Sequence, residues 1–243
     1  MKKIEIGTWA EIPSAYVAHI MTDAGFDFII IDLEHGVVDF ETTQNMIFAV
    51  HSNRRQAFIR VPSIDEAWIL RCLDMGCDGM IFPQVSSIGD IEKIISFSRF
   101  SPKGNRGFNP FIAAGKYQKV GDKYFESENK RIRLGVILEG REIFEQLDKV
   151  LEYEDIEILY IGQYDLSMAL GIPGQISDKR VLDLMDRTVQ AACDKGKTIG
   201  CMVHTSEEGR EYIDRGFGFI AYQTDTSLLH ERINKFAREV YQG

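Results

Sequence analysis

The sequence predicts a (β/α)8 barrel, on the evidence of chain length and apolar patterning. Eight short apolar segments, rich in Ile, Val and Phe, alternate with longer amphipathic stretches along the 243 residues. The apolar residues run continuously, which is typical of parallel strands that are covered on both faces. Eight strand and helix units in a chain of this length favour a barrel over an open, doubly wound sheet. No linker interrupts the pattern, so we expect a single domain over residues 1–243.

The predicted strands and helices alternate strictly. Strands are predicted over 4–9, 27–33, 56–61, 78–82, 132–138, 157–161, 198–202 and 218–222. Helices are predicted over 13–24, 41–51, 65–75, 87–98, 141–151, 179–195, 205–215 and 227–241. Glycines precede several strands, as in AGFD, MGCDG and RGFGF, where a helix ends and the chain turns back. The long segment 101–128 is either a solvated loop or an ordered loop that packs on the barrel or on a neighbouring chain.

Composition argues against several classes of protein. The formal net charge is -9, whereas a nucleic-acid-binding surface needs clustered Lys and Arg. No segment approaches the roughly 18 apolar residues of a membrane span, and the amino terminus does not resemble a signal peptide. We therefore expect a cytoplasmic protein with neither nucleic acid nor membrane as a partner. The cysteines Cys72, Cys77, Cys193 and Cys201 form no C-x-x-C pair, and we expect them to be buried apolar residues.

Two carboxylates follow neighbouring strands of the predicted barrel. Glu139 is predicted at the end of strand five and Asp165 at the end of strand six. Because active sites of these barrels lie at the carboxyl ends of the strands, both residues are expected at the mouth. Two hard oxygen ligands suit Mg²⁺ or Mn²⁺, with Co²⁺ as a further candidate. The alternative is that one of them caps the following helix.

Strands two and three end in further ionisable residues. Arg60 ends an apolar strand before a proline, so its guanidinium is expected to meet an anionic substrate oxygen. A structural salt bridge to Glu34 or Glu139 is the alternative. His35 is a candidate general base, and Asp32 is expected to fix the tautomer of its imidazole.

The sequence lacks the residues or motifs that several reaction classes require. No lysine stands at any predicted strand end, so a Schiff-base mechanism has no nucleophile. No G-x-S-x-G, Walker or G-x-G-x-x-G motif is present either. Acyl transfer, nucleotide hydrolysis and hydride transfer are therefore disfavoured.

Eight short motifs or residues follow one another along nearly the whole chain. They are GTW, AGFDFIIIDLEHG, IRVP, LDMGCDGMIFPQV, SPKGNRG, Glu139, IGQYDLSMALGIPGQ and DTSLL. In this order the chain resembles the class II, metal-dependent pyruvate aldolases of the 4-hydroxy-2-oxoheptanedioate aldolase family, which includes 2-keto-3-deoxy-sugar-acid aldolases. The resemblance implies a (β/α)8 barrel and a homo-oligomer, usually a hexamer with exchanged C-terminal helices.

The resemblance also implies roles for individual residues. Glu139 and Asp165 would hold the divalent ion, and Arg60 would contact the pyruvyl keto oxygen. His35 with Asp32 would perform acid-base catalysis. The backbone from Gly162 to Asp165 would receive the pyruvate carboxylate. Asp74, in the LDMG motif, matches a position that the family places near a neighbouring subunit's site. Independently of the resemblance, Glu34 is expected at the subunit interface or in contact with other site residues.

Three positions depart from the family pattern. Ile137 stands where the family usually has glutamine, Gln163 where it has proline, and Gly140 where it has threonine. Losing the glutamine at 137 removes a polar contact near the pyruvyl group. Gln163 and Gln84 are the candidates to compensate as substrate-binding residues.

The predicted function is reversible aldol cleavage of a 4-hydroxy-2-oxo acid to pyruvate and an aldehyde by a carbon–carbon lyase. The substrate would be a 2-keto-3-deoxy-sugar acid or a 4-hydroxy-2-oxo-diacid. Two alternatives stay open: a catalytically weakened protein that binds 2-oxo acids, and a metal-dependent lyase or decarboxylase of the citrate-lyase β-subunit type.

Overall fold

The eight strands close into a parallel barrel. The computed structural model describes residues 3–118, 120–121, 123–192 and 194–241. Each strand pairs with the next and the last pairs with the first, which confirms the predicted fold class. The strands are β1 (Glu5–Ala10), β2 (Phe28–Asp32), β3 (Gln56–Arg60), β4 (Gly79–Phe82), β5 (Arg133–Leu138), β6 (Ile156–Ile161), β7 (Thr198–Val203) and β8 (Phe219–Thr224). All eight lie where the apolar runs predict them.

The helices include two that the sequence patterns did not predict. The predicted ones are α1 (Ala15–Asp23), α2 (Phe40–Ser52), α3 (Glu66–Asp74), α4 (Ile88–Ser98), α6 (Arg141–Glu145) with α7 (Leu147–Leu151), α9 (Lys179–Ala192), α10 (Ser206–Asp214) and α11 (Asp225–Tyr241). The predicted helix over 141–151 is divided in two at Gln146. The two additions are α5 (Tyr124–Arg131) and α8 (Gln163–Ala169). Across the described ranges, no helix is both long enough and apolar enough to cross a membrane.

The inside of the barrel is a packed apolar column. Phe28 and Phe219 stack with ring centroids 3.8 Å apart, and Phe58 meets Phe219 edge-on at 5.2 Å. The amino end is closed by Arg133, which forms ion pairs of 2.9 Å with Glu5 and 2.7 Å with Glu157. The side chains that alternate with these pack between the strands and the surrounding helices, as in other barrels of this class. Polar chemistry is therefore directed to the carboxyl ends of the strands.

The segment that follows α4 is an ordered loop that packs on the barrel. Arg106 is buried, lies 3.3 Å from Asp74 and stacks over Phe100 at 4.5 Å. The rings of Phe100, Phe108, Tyr124 and Phe125 pack against one another. Of the two interpretations of residues 101–128, the described part supports the ordered loop, and it ends in α5; Lys119 and Asp122 lie outside the described residues.

The described cysteines are buried, as predicted. Cys72, Cys77 and Cys201 have no exposed surface, and burial raises the pKa of Cys77 to about 12. A thiol with so high a pKa is a poor nucleophile at neutral pH. Cys193 lies outside the described residues.

An ion pair at the amino end of the barrel ties α4 to β6. Arg99 Nε lies 2.7 Å from Asp155 Oδ1, and Lys103 Nζ lies 2.9 Å from Asp155 Oδ2. Arg99 also donates to the carbonyl of Ile132 at 2.9 Å. Burial alone would raise the pKa of Asp155, but the hydrogen bonds from Arg99 and Lys103 outweigh it and hold that pKa below its ordinary value.

We expect Asp155→Asn to lower the free energy of unfolding by about 2 kcal/mol at pH 7, between the values typical of exposed and buried pairs. Since the pKa of Asp155 is lower in the folded protein than in the unfolded chain, the contribution is present above about pH 4. It is lost as the pH falls through the folded pKa. Urea unfolding of both proteins from pH 7 to pH 3 measures the difference.

Asp183→Asn is the matched control for this experiment. Asp183 pairs with Lys179 at 2.6 Å, but both side chains are well exposed. Its loss should change the free energy of unfolding by less than about 0.5 kcal/mol. Equal losses in the two variants would contradict the role given to the Arg99 pair.

Candidate active site

Two adjoining cavities open at the carboxyl ends of the strands. Their volumes are about 100 and 320 Å³, and both are lined by Glu139 and Asp165. Nearly all of the predicted site residues line one or both: Glu34, His35, Arg60, Gln84, Glu139, Gly162, Gln163 and Asp165. Asp32 lies directly beneath them, bonded to Arg60. The structure thus brings together residues that five separate chain segments supply.

Asp32 and Arg60 form the base of the site. They are paired in register on β2 and β3, and the carboxylate of Asp32 is fully buried. Arg60 Nε donates to Asp32 Oδ1 at 2.8 Å, and its Nη2 donates to the other carboxylate oxygen. The guanidinium also stacks over Trp9 at 4.4 Å. Such a two-point contact fixes both the position and the plane of the guanidinium.

Arg60 has a second ionic partner in Glu34, one of the two that the salt-bridge alternative named. Arg60 Nη1 lies 3.3 Å from Glu34 Oε2. Burial opposes the charge of Arg60, but its hydrogen bonds to Asp32 and the charges of both carboxylates raise its pKa. Arg60 is therefore a fixed cation at the mouth. Of its five N–H groups, two are left to meet a substrate.

The imidazole of His35 is not held by Asp32, contrary to the prediction. Asp32 Oδ1 instead accepts the backbone N–H groups of Glu34 at 2.9 Å and of His35 at 3.2 Å. The ring Nε2 of His35 lies 3.9 Å from Glu34 Oε2, and the side chain is 66% exposed. The turn after β2 uses Asp32 to hold its own backbone, so the carboxylate is already occupied. The catalytic roles of His35 and Asp32 remain predictions.

Glu139 and Asp165 lie close enough to repel one another. Burial is the main reason that the pKa of Glu139 is raised, and the charges of Asp165 and Glu34 add to it. The backbone N–H of Gln84, which donates to Glu139 Oε1, and the charge of Arg60 act in the opposite direction. Glu139 follows β5 as predicted, whereas Asp165 lies in the first turn of α8 and not at a strand end.

The helix-capping alternative for these two carboxylates is wrong. The helices next to them, α6 and α8, begin after Gly140 and Gly162, and neither has a side-chain cap. The carboxylates of Glu139 and Asp165 face the cavities instead.

The donor set fits a divalent cation. Four carboxylates line the two cavities, those of Glu11, Glu34, Glu139 and Asp165, and they share one guanidinium, so negative charge is in excess. Hard oxygen donors in an open cavity are the ligands that Mg²⁺ and Mn²⁺ prefer. Within the described residues, no group of three or more His, Cys, Asp or Glu side chains is arranged to hold a metal ion alone. Glu139 and Asp165 would thus supply two ligands, and water or substrate would supply the others.

Both candidate glutamines have partners for their side-chain amides. Gln84 Nε2 donates to Glu34 Oε1 at 2.8 Å, from a backbone with φ of +56°. Gln163 is buried and its Nε2 donates to Tyr212 Oη at 3.3 Å. Their contribution to substrate binding stays a prediction. The contact that the structure does show from Gln84 to the site is its backbone N–H on Glu139.

Several cavity residues were missed by the analysis of strand ends. Trp9, Tyr160, Tyr164 and Met202 all line the smaller cavity. Trp9 Nε1 donates to Tyr160 Oη at 2.9 Å, and Tyr160 pairs in register with Ile137. Period-two alternation could have found Trp9 and Tyr160, because each is the last but one residue of its strand and points inward.

Asp74 lies apart from the mouth. It ends α3, pairs with Arg106 at 3.3 Å and lines a separate cavity with Phe111 and Ala113. Burial raises the pKa of its carboxyl group. The expectation that Asp74 lies near a neighbouring subunit's site remains a prediction, and so does an interface role for Glu34.

The absence of a side chain at Gly162 leaves room for the side chain of Glu139. A Cβ at this position would lie 2.8 Å from Ile137 Cγ2 and 3.1 Å from Glu139 Oε2. We expect Gly162→Ala to lower the free energy of unfolding by about 1–2 kcal/mol through overpacking. Displacement of Glu139 should also weaken Mn²⁺ binding by about tenfold, as measured by calorimetry.

Gly209→Ala is the matched control, because a Cβ at this position meets no close neighbour among the described residues. The nearest atom to a Cβ there is Val203 Cγ2 at 3.9 Å, and the residue lies inside α10. Alanine should be neutral or stabilise by up to about 1 kcal/mol, with Mn²⁺ affinity unchanged. Unaltered Mn²⁺ binding in Gly162→Ala would show that Glu139 does not depend on this glycine.

Comparison with known proteins places the chain in a family. The family model described as HpcH/HpaI aldolase/citrate lyase matches residues 5–231. The 5-keto-4-deoxy-D-glucarate aldolases of Shigella boydii and Escherichia coli are each 27% identical over 236 residues, which cover 97% of this chain and 91% and 92% of theirs.

Solved structures share the fold. The HpcH/HpaI aldolase from Desulfitobacterium hafniense has a TM-score of 0.93 at 23% identity, with 98% of this chain and 93% of that chain covered. The citrate synthase SbnG has a TM-score of 0.89 at 24% identity, with 99% and 94% covered. These two likenesses show the fold alone, whereas the family model spans nearly the whole chain. The chain therefore belongs to the HpcH/HpaI aldolase/citrate lyase family.

Proposed function

We propose that this protein is a divalent-metal-dependent aldolase that cleaves a 2-keto-3-deoxy-sugar acid reversibly to pyruvate and an aldehyde. A 4-hydroxy-2-oxo-diacid is the alternative substrate class. The observation that carries the proposal is the meeting of Glu139 and Asp165 with the fixed guanidinium of Arg60 in one mouth. Family membership and the named activity of the relatives support the predicted carbon–carbon lyase and a 4-hydroxy-2-oxo acid as its substrate.

The two carboxylates would hold the cation. When bound by Glu139 and Asp165, Mg²⁺ or Mn²⁺ supplies Lewis-acid polarisation of the substrate's keto group, and Co²⁺ is a further candidate. Gln84 fixes Glu139 through its backbone N–H, so this carboxylate is oriented before any ligand arrives. Pre-orientation of this kind reduces the reorganisation that binding requires.

Arg60 stabilises the charge that develops during cleavage. Breaking the C3–C4 bond leaves an enolate on the pyruvyl fragment, with negative charge on the former keto oxygen. Two bonds to Asp32 and the contact with Trp9 hold the guanidinium, and its remaining N–H groups can donate to that oxygen. The first-turn backbone N–H groups of α8, between Gly162 and Asp165, would receive the pyruvate carboxylate.

His35 moves the proton. Its exposed imidazole lines the larger cavity, and we assign it the removal of the C4 hydroxyl proton. The electron pair of that O–H bond forms the aldehyde carbonyl as the C3–C4 bond breaks. The protonated His35 returns a proton to C3 of the enolate, which completes pyruvate and restores the base. Glu34, at 3.9 Å from the ring, is the carboxylate that would orient His35.

The assembly is proposed to be a homo-oligomer, a hexamer with exchanged C-terminal helices by family resemblance. The exposed residues Leu229, Ile233, Phe236 and Val240 support this, because their spacing places them along one face of α11. An apolar face of this kind is typical of a helix that packs against another subunit.

Proton exchange of pyruvate tests the function without knowledge of the aldehyde. With Mg²⁺ in D₂O, we expect the protein to exchange the methyl protons of pyruvate, seen as loss of the proton NMR signal. Chelator should abolish the exchange. Glu139→Gln should slow it by more than about 100-fold, because a ligand to the cation is lost.

Glu145→Gln is the matched control, since Glu145 is an exposed carboxylate on α6 a few residues away. Its exchange rate should equal that of the unaltered protein. Exchange that persists in chelator, or that Glu139→Gln leaves unchanged, would overturn the metal assignment.

One observation favours a second candidate, a protein that binds 2-oxo acids without turnover. Ile137 is buried at the cavity wall, where the family usually has a polar glutamine. Calorimetric binding of oxalate in the presence of Mg²⁺, with no exchange of pyruvate protons, would favour this candidate over the aldolase. Exchange would exclude it.

A further inference from the structure

Tyr164 lies at the rim of the smaller cavity and forms a polar pair with His204. Tyr164 follows Gln163 at the start of α8 and lines the cavity beside Asp165. Its Oη lies 3.2 Å from His204 Nε2, and the two rings meet edge-on at 6.1 Å. His204 directly follows β7. The pyruvate chemistry described above uses neither side chain.

The backbone of His204 is held by hydrogen bonds on both sides, and its ring contacts Tyr164. Its N–H donates to Glu208 Oε2 at 2.6 Å, and its carbonyl accepts from Gln223 Nε2 at 3.1 Å. The Tyr164 side chain is 48% exposed. The rim pair is therefore presented by fixed backbone, but its own long and solvent-exposed hydrogen bond is easily exchanged for another partner.

The chemistry of the pair matches a hydroxyl group. A phenol and a neutral imidazole each offer both a donor and an acceptor, and a substrate hydroxyl can donate to one and accept from the other. A carboxylate could only accept. Met202 and Thr224 also line the cavity and carry no charge. The carboxylate of Glu11, which lines it too, accepts from Thr226 Oγ1 at 2.8 Å.

The position of the pair matches the aldehyde half of the substrate. The pyruvyl half is assigned to Glu139, Asp165 and Arg60, and of these the Arg60 side chain is largely buried. Atoms beyond C4 must extend from there toward the opening of the cavity. Tyr164 adjoins Asp165 in the chain, lines the same cavity and is 48% exposed, so it lies beside the pyruvyl half and near this opening.

We propose that Tyr164 and His204 form a subsite that binds hydroxyl groups on the aldehyde portion of the substrate. The pair then sets the preference for a hydroxylated aldehyde over an aldehyde without a hydroxyl group. This inference rests on the proposed aldolase function and names residues that would select its second substrate.

The test compares two aldehydes of nearly equal size. Glycolaldehyde and propanal differ by a hydroxyl in place of a methyl group. Each is added to pyruvate by the full-length protein with Mg²⁺, and kcat/KM is measured for the aldehyde. Tyr164→Phe and His204→Phe should each lower the glycolaldehyde-to-propanal ratio by about 5- to 10-fold, the usual effect of one hydrogen bond.

Tyr153→Phe is the matched control. Tyr153 Oη also makes one side-chain hydrogen bond, to Glu92 at 3.0 Å, but this tyrosine precedes β6 at the amino end of the barrel. The glycolaldehyde-to-propanal ratio of this variant should equal that of the unaltered protein.

Exchange of pyruvate protons separates the failure of this inference from failure of the proposed function, because exchange needs no aldehyde. Absence of exchange in the unaltered protein would overturn both. With exchange present, an unchanged ratio in Tyr164→Phe and His204→Phe would overturn the subsite. So would an equal loss for both aldehydes, since that would indicate a general defect of the mouth.

Discussion

The site depends on the buried ion pair between Asp32 and Arg60. A carboxylate with no exposed surface is tolerated only when charge and hydrogen bonds compensate it, and here a guanidinium and two backbone N–H groups do so. From this pair the contacts run outward: Arg60 to Glu34, Glu34 to Gln84, and the Gln84 backbone to Glu139. The orientation of the side chains at the mouth therefore depends on Asp32 and Arg60, which are paired in register on β2 and β3.

Electrostatic balance at the mouth follows from the same network. Asp32 and Glu34 together outweigh the charge of Arg60, so Glu139 and Asp165 have no cation of their own among the residues that line the two cavities. Their mutual repulsion, added to burial, raises the pKa of Glu139. A divalent cation would relieve that repulsion, and this explains why the arrangement of carboxylates favours metal binding over a purely structural role.

Much of the fold was predictable because the strands are buried on both faces. Continuous apolar runs marked all eight strands, and strand ends then located Asp32, Arg60 and Glu139. Helix α8 was missed because seven residues are too few to show a helical period, so Asp165 was assigned to a strand end. The predicted bond between the His35 imidazole and Asp32 was wrong for another reason. Proximity in the sequence does not show whether a residue contacts its neighbour through its side chain or through its backbone. The Tyr164 and His204 pair joins residues 40 positions apart, which no local pattern reveals.

The lining of the smaller cavity combines charged and neutral residues. Its charges belong to Glu11, Arg60, Glu139 and Asp165. Ile137 and Tyr160 pair across β5 and β6, and the Tyr160 hydroxyl accepts from Trp9. Burial raises the pKa of Tyr160, so this residue contributes a neutral hydroxyl to the lining at physiological pH.

In the proposed complex the oxygens of the 2-oxo acid face Arg60 and the cation held by Glu139 and Asp165, because these positive charges compensate the charge of the acid. Ile137 adds no polar contact to them. Recognition of the oxo-acid half then depends on Arg60, the cation and the first-turn backbone N–H groups of α8, whereas polar contacts for the aldehyde half must come from other residues of the cavity. Tyr164, which lines the cavity and pairs with His204, can supply them.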